Sequence, residues 1–182
     1  MVNDNFKKGI MIISLFMILV GVVACVNAAD DNSDITIKKK TKSGLVIHYP
    51  SNWGYSESTS NYSIMALSKL DSVDSFGIGQ VTINVEKKPI EGDFYTYVND
   101  TYKSMEKDSS FDLVSSGGVM VGNIDAVEYI YTSTQNGVEK EHKAVWFEKG
   151  GQAYVLLYSA PLQDFENSLY VFDYIISDIQ VT

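Results

Sequence analysis

The sequence predicts an α+β domain: an antiparallel β-sheet of about six strands with helices packed on its faces. Two observations carry this. Strand-type runs bounded by glycine, proline and asparagine recur along the chain, and two segments of helical period interrupt them. Their order is strands, helix, strands, helix, so the regular alternation that builds a parallel sheet is missing. Of the 182 residues, 45% are hydrophobic, 20% are charged and only three are proline, which suits one globular domain with a short extension.

The extension comes first. Lys7 and Lys8 precede an apolar run over residues 10–26 that holds no charge. Its 17 residues exceed a secretory core of about 7–15 and meet only the lower end of the roughly 17–25 that span a bilayer. Lysines before it and Asp30, Asp31 and Asp34 after it orient the N-terminus to the cytoplasm and export the rest. Three fates stay open. Val22-Val23-Ala24-Cys25 resembles a lipobox, with valine where leucine is usual, and would lead to lipidation of Cys25. Val26-Asn27-Ala28 offers small residues to a signal peptidase and would release a domain starting at Ala29. In the third, the helix stays uncut as an anchor. The organisation is thus 1–28 as signal peptide or membrane anchor, 29–43 as a polar linker with an edge strand, and 44–182 as the folded domain. Tethering places that domain at the outer face of the cytoplasmic membrane; cleavage secretes it.

The remaining elements follow in order. Lys38-Lys39-Lys40 with Lys42 reads as a solvated edge strand, because edge lysines discourage unwanted pairing. Residues 45–49 form a short strand stopped by Pro50, and 62–70 and 78–85 carry further strand patterns. Phe94, Val98, Tyr102 and Met105 then recur at helical spacing behind Asp93 as a cap, predicting a helix over 93–108. Four strands follow, at 111–115, 126–132, 140–148 and 152–158. Asn136-Gly137 and Gly150-Gly151 tolerate positive φ, so the last three make an antiparallel meander. Pro161 opens a second helix with Leu162, Phe165, Leu169, Phe172 and Ile176 on one face. Trp53 and Trp146 are expected in the core between sheet and helices.

Composition narrows the chemistry. Acidic residues outnumber basic ones by 23 to 14, and every basic residue is a lysine, so no guanidinium fork exists to grip phosphates; this argues against nucleic acid. Losing residues 1–25, with Lys7, Lys8 and Asp4, makes the exported part more acidic still, which favours solubility and repels anionic head groups. One cysteine cannot form an internal disulfide, and two histidines leave few soft ligands for zinc or iron.

No nucleophile motif, phosphate loop or H-E-x-x-H stretch is present, and no cofactor motif. His48 and His142 fall on predicted strands and are expected to be solvated or edge-strand histidines. Asp71 with Asp74, and Asp125 with Glu128, could offer oxygens to a hard cation such as calcium, though no EF-hand order fixes a geometry and ordinary solvated acids are the favoured explanation. Asn61-Tyr62-Ser63 and Asn99-Asp100-Thr101 are N-glycosylation sequons. Tyr129, Tyr131, Tyr154 and Tyr158 alternate along strands, as sheet packing or as an interaction surface.

Tyr49-Pro50-Ser51-Asn52-Trp53, a strand ending in Tyr-Pro-x-x-Trp, resembles the PsbP family. Gly122-Asn123-Ile124-Asp125-Ala126-Val127-Glu128-Tyr129 and the closing helix over 165–177 agree, and the resemblance covers about residues 44–181. It implies the three-layer α/β/α sandwich shared by PsbP, the Mog-type Ran-binding proteins and bacterial lipoproteins of the LpqN kind. It also implies a non-enzymatic, often membrane-associated domain that binds another protein or a small ligand. The role of plant PsbP in retaining calcium and chloride at photosystem two need not carry over, since the N-terminus has no arginine and little serine, unlike a transit peptide. The reading is an extracytoplasmic, membrane-tethered, PsbP-related accessory protein of a prokaryote. The alternative is an exported hydrolase whose site the sequence does not display.

Overall fold

The computed structural model describes residues 35–57, 62–135 and 137–182. The N-terminal segment with Cys25, the sequon residue Asn61 and Asn136 of the expected turn lie outside the described residues. In chain order the elements are β1 (Ile37–Lys42), β2 (Leu45–Pro50), β3 (Trp53–Ser56), β4 (Ser63–Lys69), β5 (Thr82–Pro89), α1 (Phe94–Met105), β6 (Phe111–Val121), β7 (Ile124–Gln135), β8 (Val138–Lys149), β9 (Gln152–Pro161), α2 (Phe165–Asp178) and β10 (Gln180–Val181). Seven strands form one sheet in the order β3-β4-β5-β9-β8-β7-β6, every neighbouring pair antiparallel. β1, β2 and β10 form a second sheet of three strands, with β2 in the middle. Among the described residues no helix is long and apolar enough to cross a membrane.

The α+β class and the β7-β8-β9 meander agree with the sequence reading, but the main sheet exceeds six strands. The β9 turn shows why the meander is legible: Gly150 and Gly151 both take positive φ, 61° and 70°, which glycine reaches without a Cβ clash. The lysine-rich β1 is an edge strand, as expected.

Alternation along the central strands feeds two cores. On β8, Val145 and Phe147 join β5, β9 and α2 residues such as Ile83, Leu156 and Phe172, with Leu45 and Ile47 of β2. Ala144 and Trp146 point the other way and meet Phe94, Val98 and Tyr102 of α1. The sheet is therefore covered by α1 on one face and by α2 with the small sheet on the other, the layering expected when both faces are apolar. Asp93 caps α1 by accepting from the Thr96 N–H at 2.8 Å, and Phe94, Val98 and Tyr102 are its buried stripe.

Three local expectations need correction. Residues 78–81 are not strand; Asp74 folds them into a turn by accepting from the Phe76 and Ile78 N–H groups at 2.9 and 3.0 Å, and β5 starts at Thr82. Pro161 does not open a helix: its fixed φ also suits extended backbone, so it ends β9, a 3₁₀ turn over Leu162–Asp164 follows, and α2 starts at Phe165 with Leu162 left exposed. β6 continues to Val121, because β7 pairs with residues whose Ser-Ser-Gly-Gly composition carries no strand signal of its own.

Trp53 and Trp146 are both buried, one in each core. Trp53→Ala and Trp146→Ala should each lower stability by about 3–5 kcal/mol, read as a reduced urea midpoint. Tyr102→Phe strands the Trp146 Nε1–H, which donates to the Tyr102 hydroxyl at 3.0 Å, and should cost about 1–3 kcal/mol by the same measurement.

Candidate functional site

The face of the sheet under α1 carries a cluster of titratable and hydroxyl groups. His142 on β8 lies beside Tyr131 on β7 and Ser159 on β9. Its Nε2 shares a hydrogen bond with Ser133 Oγ at 2.8 Å, its Nδ1 another with Ser159 Oγ at 2.7 Å, and its ring stacks on Tyr131 at 4.7 Å. Burial, and then the Glu86 charge, push the Tyr131 phenol up, while burial pulls the nearby Lys140 ammonium down. Glu86 and Lys88 form an almost buried ion pair at 2.6 Å on β5.

The expectation of a solvated or edge-strand His142 is thus wrong. Its neighbours Glu141 and Lys143 suggest water, but strand alternation sends His142 with Ala144 and Trp146 into the α1 layer, where it is 1% exposed. A serine beside an imidazole is part of a hydrolytic arrangement, yet that chemistry needs a carboxylate on the other ring nitrogen, and here both nitrogens meet serines. His48 is not on an edge either: it sits half-buried on β2, its Nδ1 2.5 Å from Asp178 Oδ2. The Ser133 and Ser159 partners were missed by the sequence reading, and their only signal was the period-two alternation itself.

The acids singled out for a cation are spread over separate duties. Asp71 pairs with Lys69 at the surface. Asp74 spends one oxygen on backbone N–H groups and the other on Gln80 Nε2 at 3.0 Å. Asp125 is exposed, and Glu128, three residues along β7 and so on the opposite face, pairs with Lys143 at 3.0 Å. Among the described residues no group of three or more His, Cys, Asp or Glu gathers as a metal site. Asn99 is exposed on α1 with its carbonyl accepting from the Tyr129 hydroxyl at 3.1 Å. Tyr131, Tyr154 and Tyr158 are buried, and Tyr129 stacks on Tyr102 at 3.6 Å, so these tyrosines serve packing.

Exposed apolar surface collects elsewhere, on β6. This 11-residue strand ends the main sheet, and among the described residues nothing pairs with its outer side. Leu113, Val114 and Met120 are exposed along it. Asp112 is its one charged residue, so it carries neither lysine nor proline to discourage a further strand. A bulge between the Leu113 and Ser115 registers is its single interruption. The opposite edge, β3, is only four residues long.

No family model and no curated protein matches the chain. Solved structures do. The chain is similar to cyanobacterial PsbP (CyanoP) from Synechocystis sp. PCC 6803, with a TM-score of 0.59 at 12% identity, over 86% of this chain and 99% of that one. It is similar to LpqN of Mycobacterium tuberculosis, involved in cell envelope biogenesis, with a TM-score of 0.59 at 14% identity, over 82% and 92% of the two chains. A Pseudomonas aeruginosa protein of unknown function, PA94, aligns with a TM-score of 0.52 at 12% identity, over 78% and 94%. The chain therefore has the PsbP-type fold.

His142 makes this face sensitive to acid. Burial first, and the Lys140 charge second, push its ring from the usual 6.5 down to about 3. Between those values the unfolded chain holds a proton that the folded chain excludes, so the contribution is complete above about pH 6.5 and is lost as pH falls toward 3. Urea unfolding of the wild type should lose on the order of a few kcal/mol across that window beyond the loss shown by His142→Asn. Parallel pH profiles for the two proteins would show that another group is responsible.

Proposed function

We propose that this chain is an extracytoplasmic, membrane-tethered accessory protein that binds another protein and performs no catalysis. The observation that carries the reading is the β6 edge, a long strand whose outer side is unpaired among the described residues, with exposed apolar side chains and a single charge. Such an edge is a template on which a partner's extended segment adds a strand, its main chain supplying affinity and its alternate side chains specificity. The fold supports the same reading, since its neighbours include a PsbP protein and an envelope-biogenesis protein. The tether is the apolar segment 10–26, whose flanking charges direct the domain outward. A hydrolase would draw on His142, but an enclosed imidazole with both nitrogens occupied suits a structural duty better.

A photo-reactive residue at Gly118, installed in the native membrane, should trap one discrete protein adduct, whereas one at Tyr95 on the exposed side of α1 should not. Adducts at Tyr95 alone, or at neither position, would overturn the binding edge. For the tether, the mass of the membrane-extracted chain should begin at a modified Cys25 or at residue 1. Protein recovered free in the medium and beginning at Ala29 would defeat it.

A further inference from the structure

We infer that the partner on the β6 edge is a second copy of this chain, paired antiparallel along residues 115–121 about a two-fold axis at Gly118. This rests on β6 being the docking edge, as proposed above. Three observations select the occupant.

The first is a pair of glycines that one copy does not explain. A Cβ built on Gly117 or Gly118 would meet nothing within 4 Å, and neither residue has positive φ. Glycine in a strand interior weakens the strand, and where the fold itself does not demand it, it marks the close approach of another backbone.

The second is the chemistry of the strand read in both directions. The bulge at Val114 leaves 115–121 as the regular part of the ladder, and Gly118 is its centre. Before the centre come Ser115, Ser116 and Gly117; after it come Val119, Met120 and Val121. Reversal about Gly118 therefore sets Gly117 against the partner's Val119, Ser116 against the partner's Met120, and Ser115 against the partner's Val121. Val121 is already buried in its own copy, so the exposed Met120 and the half-buried Val119 are the side chains that cover small residues of the other, the cross-strand arrangement that compensates glycine in a sheet. Met120, 51% exposed in one copy, gains a neighbour.

The third is charge. The chain carries 23 acidic against 14 basic residues, so two copies repel in general. Leu113 to Val121 contains no ionisable side chain, and Asp112 falls outside the paired stretch. Two acidic copies can abut along that run without setting like charges opposite one another. Pairing there doubles the sheet and removes the exposed edge from both copies.

Sedimentation of the full chain in detergent should show a dimer that dissociates on dilution. Ser116→Lys with Met120→Lys puts lysine opposite the partner's lysine twice and should abolish it. Ser116→Lys with Met120→Glu puts opposite charges face to face and should restore it; both sites are exposed, so each variant should fold. Nitroxide labels in a Cys25→Ser chain should lie closest at residue 118 and equally far apart at 116 and 120, offset by about 13 Å along the strand. A wild-type chain that sediments as a monomer at every concentration, or unequal spacings at 116 and 120, would overturn the inference. If the chain is monomeric and a photo-reactive group at Gly118 traps a different protein, the docking edge stands and the second copy is ruled out. If it traps residues 1–34 of its own chain, the second copy and the docking of another protein both fail.

Discussion

The fold depends on burying the central strands on both sides. β8 and β9 lie in the middle of the seven-stranded sheet, and their alternate side chains belong to different cores: Phe147 and Leu156 to one, Trp146 and Val155 to the other. Each fully buried side chain of this size contributes about 1.5–3 kcal/mol, so neither layer is dispensable. α1 shows the dependence most directly. A helix of 12 residues is marginal alone in water, and this one is held by Phe94, Val98 and Tyr102 on the sheet.

Polar groups placed inside this frame act on specificity more than on strength. His142, hydrogen-bonded on both sides, and the Glu86–Lys88 pair sit on the α1 face beside apolar neighbours. A slip of one residue in the β7-β8-β9 pairing would carry His142 to the α2 face, away from both serines, and would exchange every apolar contact at the same time. Lys143 works alike on the other side of β8: burial draws its ammonium down, yet contacts with Asp173 and Glu128, both at 3.0 Å, more than restore it and tie β8 to α2 and β7. Register is thereby marked on each face by a group that fits only one alignment.

What the sequence shows and what it hides follow from the range of the interactions involved. α1, α2 and the β7-β8-β9 meander are legible because period and turn chemistry are local, and Trp53 and Trp146 are legible as core because their size demands it. His142 is hidden by its neighbours: Glu141 and Lys143 flank it, but alternation sends them to the other face. Asp74 looks like a cation ligand because a carboxylate that closes a turn and one that binds metal share a loop composition. The edge position of β6 is invisible for a different reason. Strand order is set by long-range pairing, and the Ser-Ser-Gly-Gly centre gives no local hint that a strand passes through it.

The closure of the small sheet has a consequence for the order of events as the chain folds. β2 receives β10 from more than 130 residues away, through Val46 opposite Gln180 and Leu45 opposite Val181, whereas β6 to β9 are joined by short turns. Loop-closure entropy favours the local hairpins, so the meander can assemble while β2 still lacks one neighbour. Leu45 and Ile47, which are fully enclosed in the finished domain, stay wet until α2 and β10 arrive. A chain built in this way leaves the apolar face of its first hairpin, β1 with β2, uncovered until its last residues have been made.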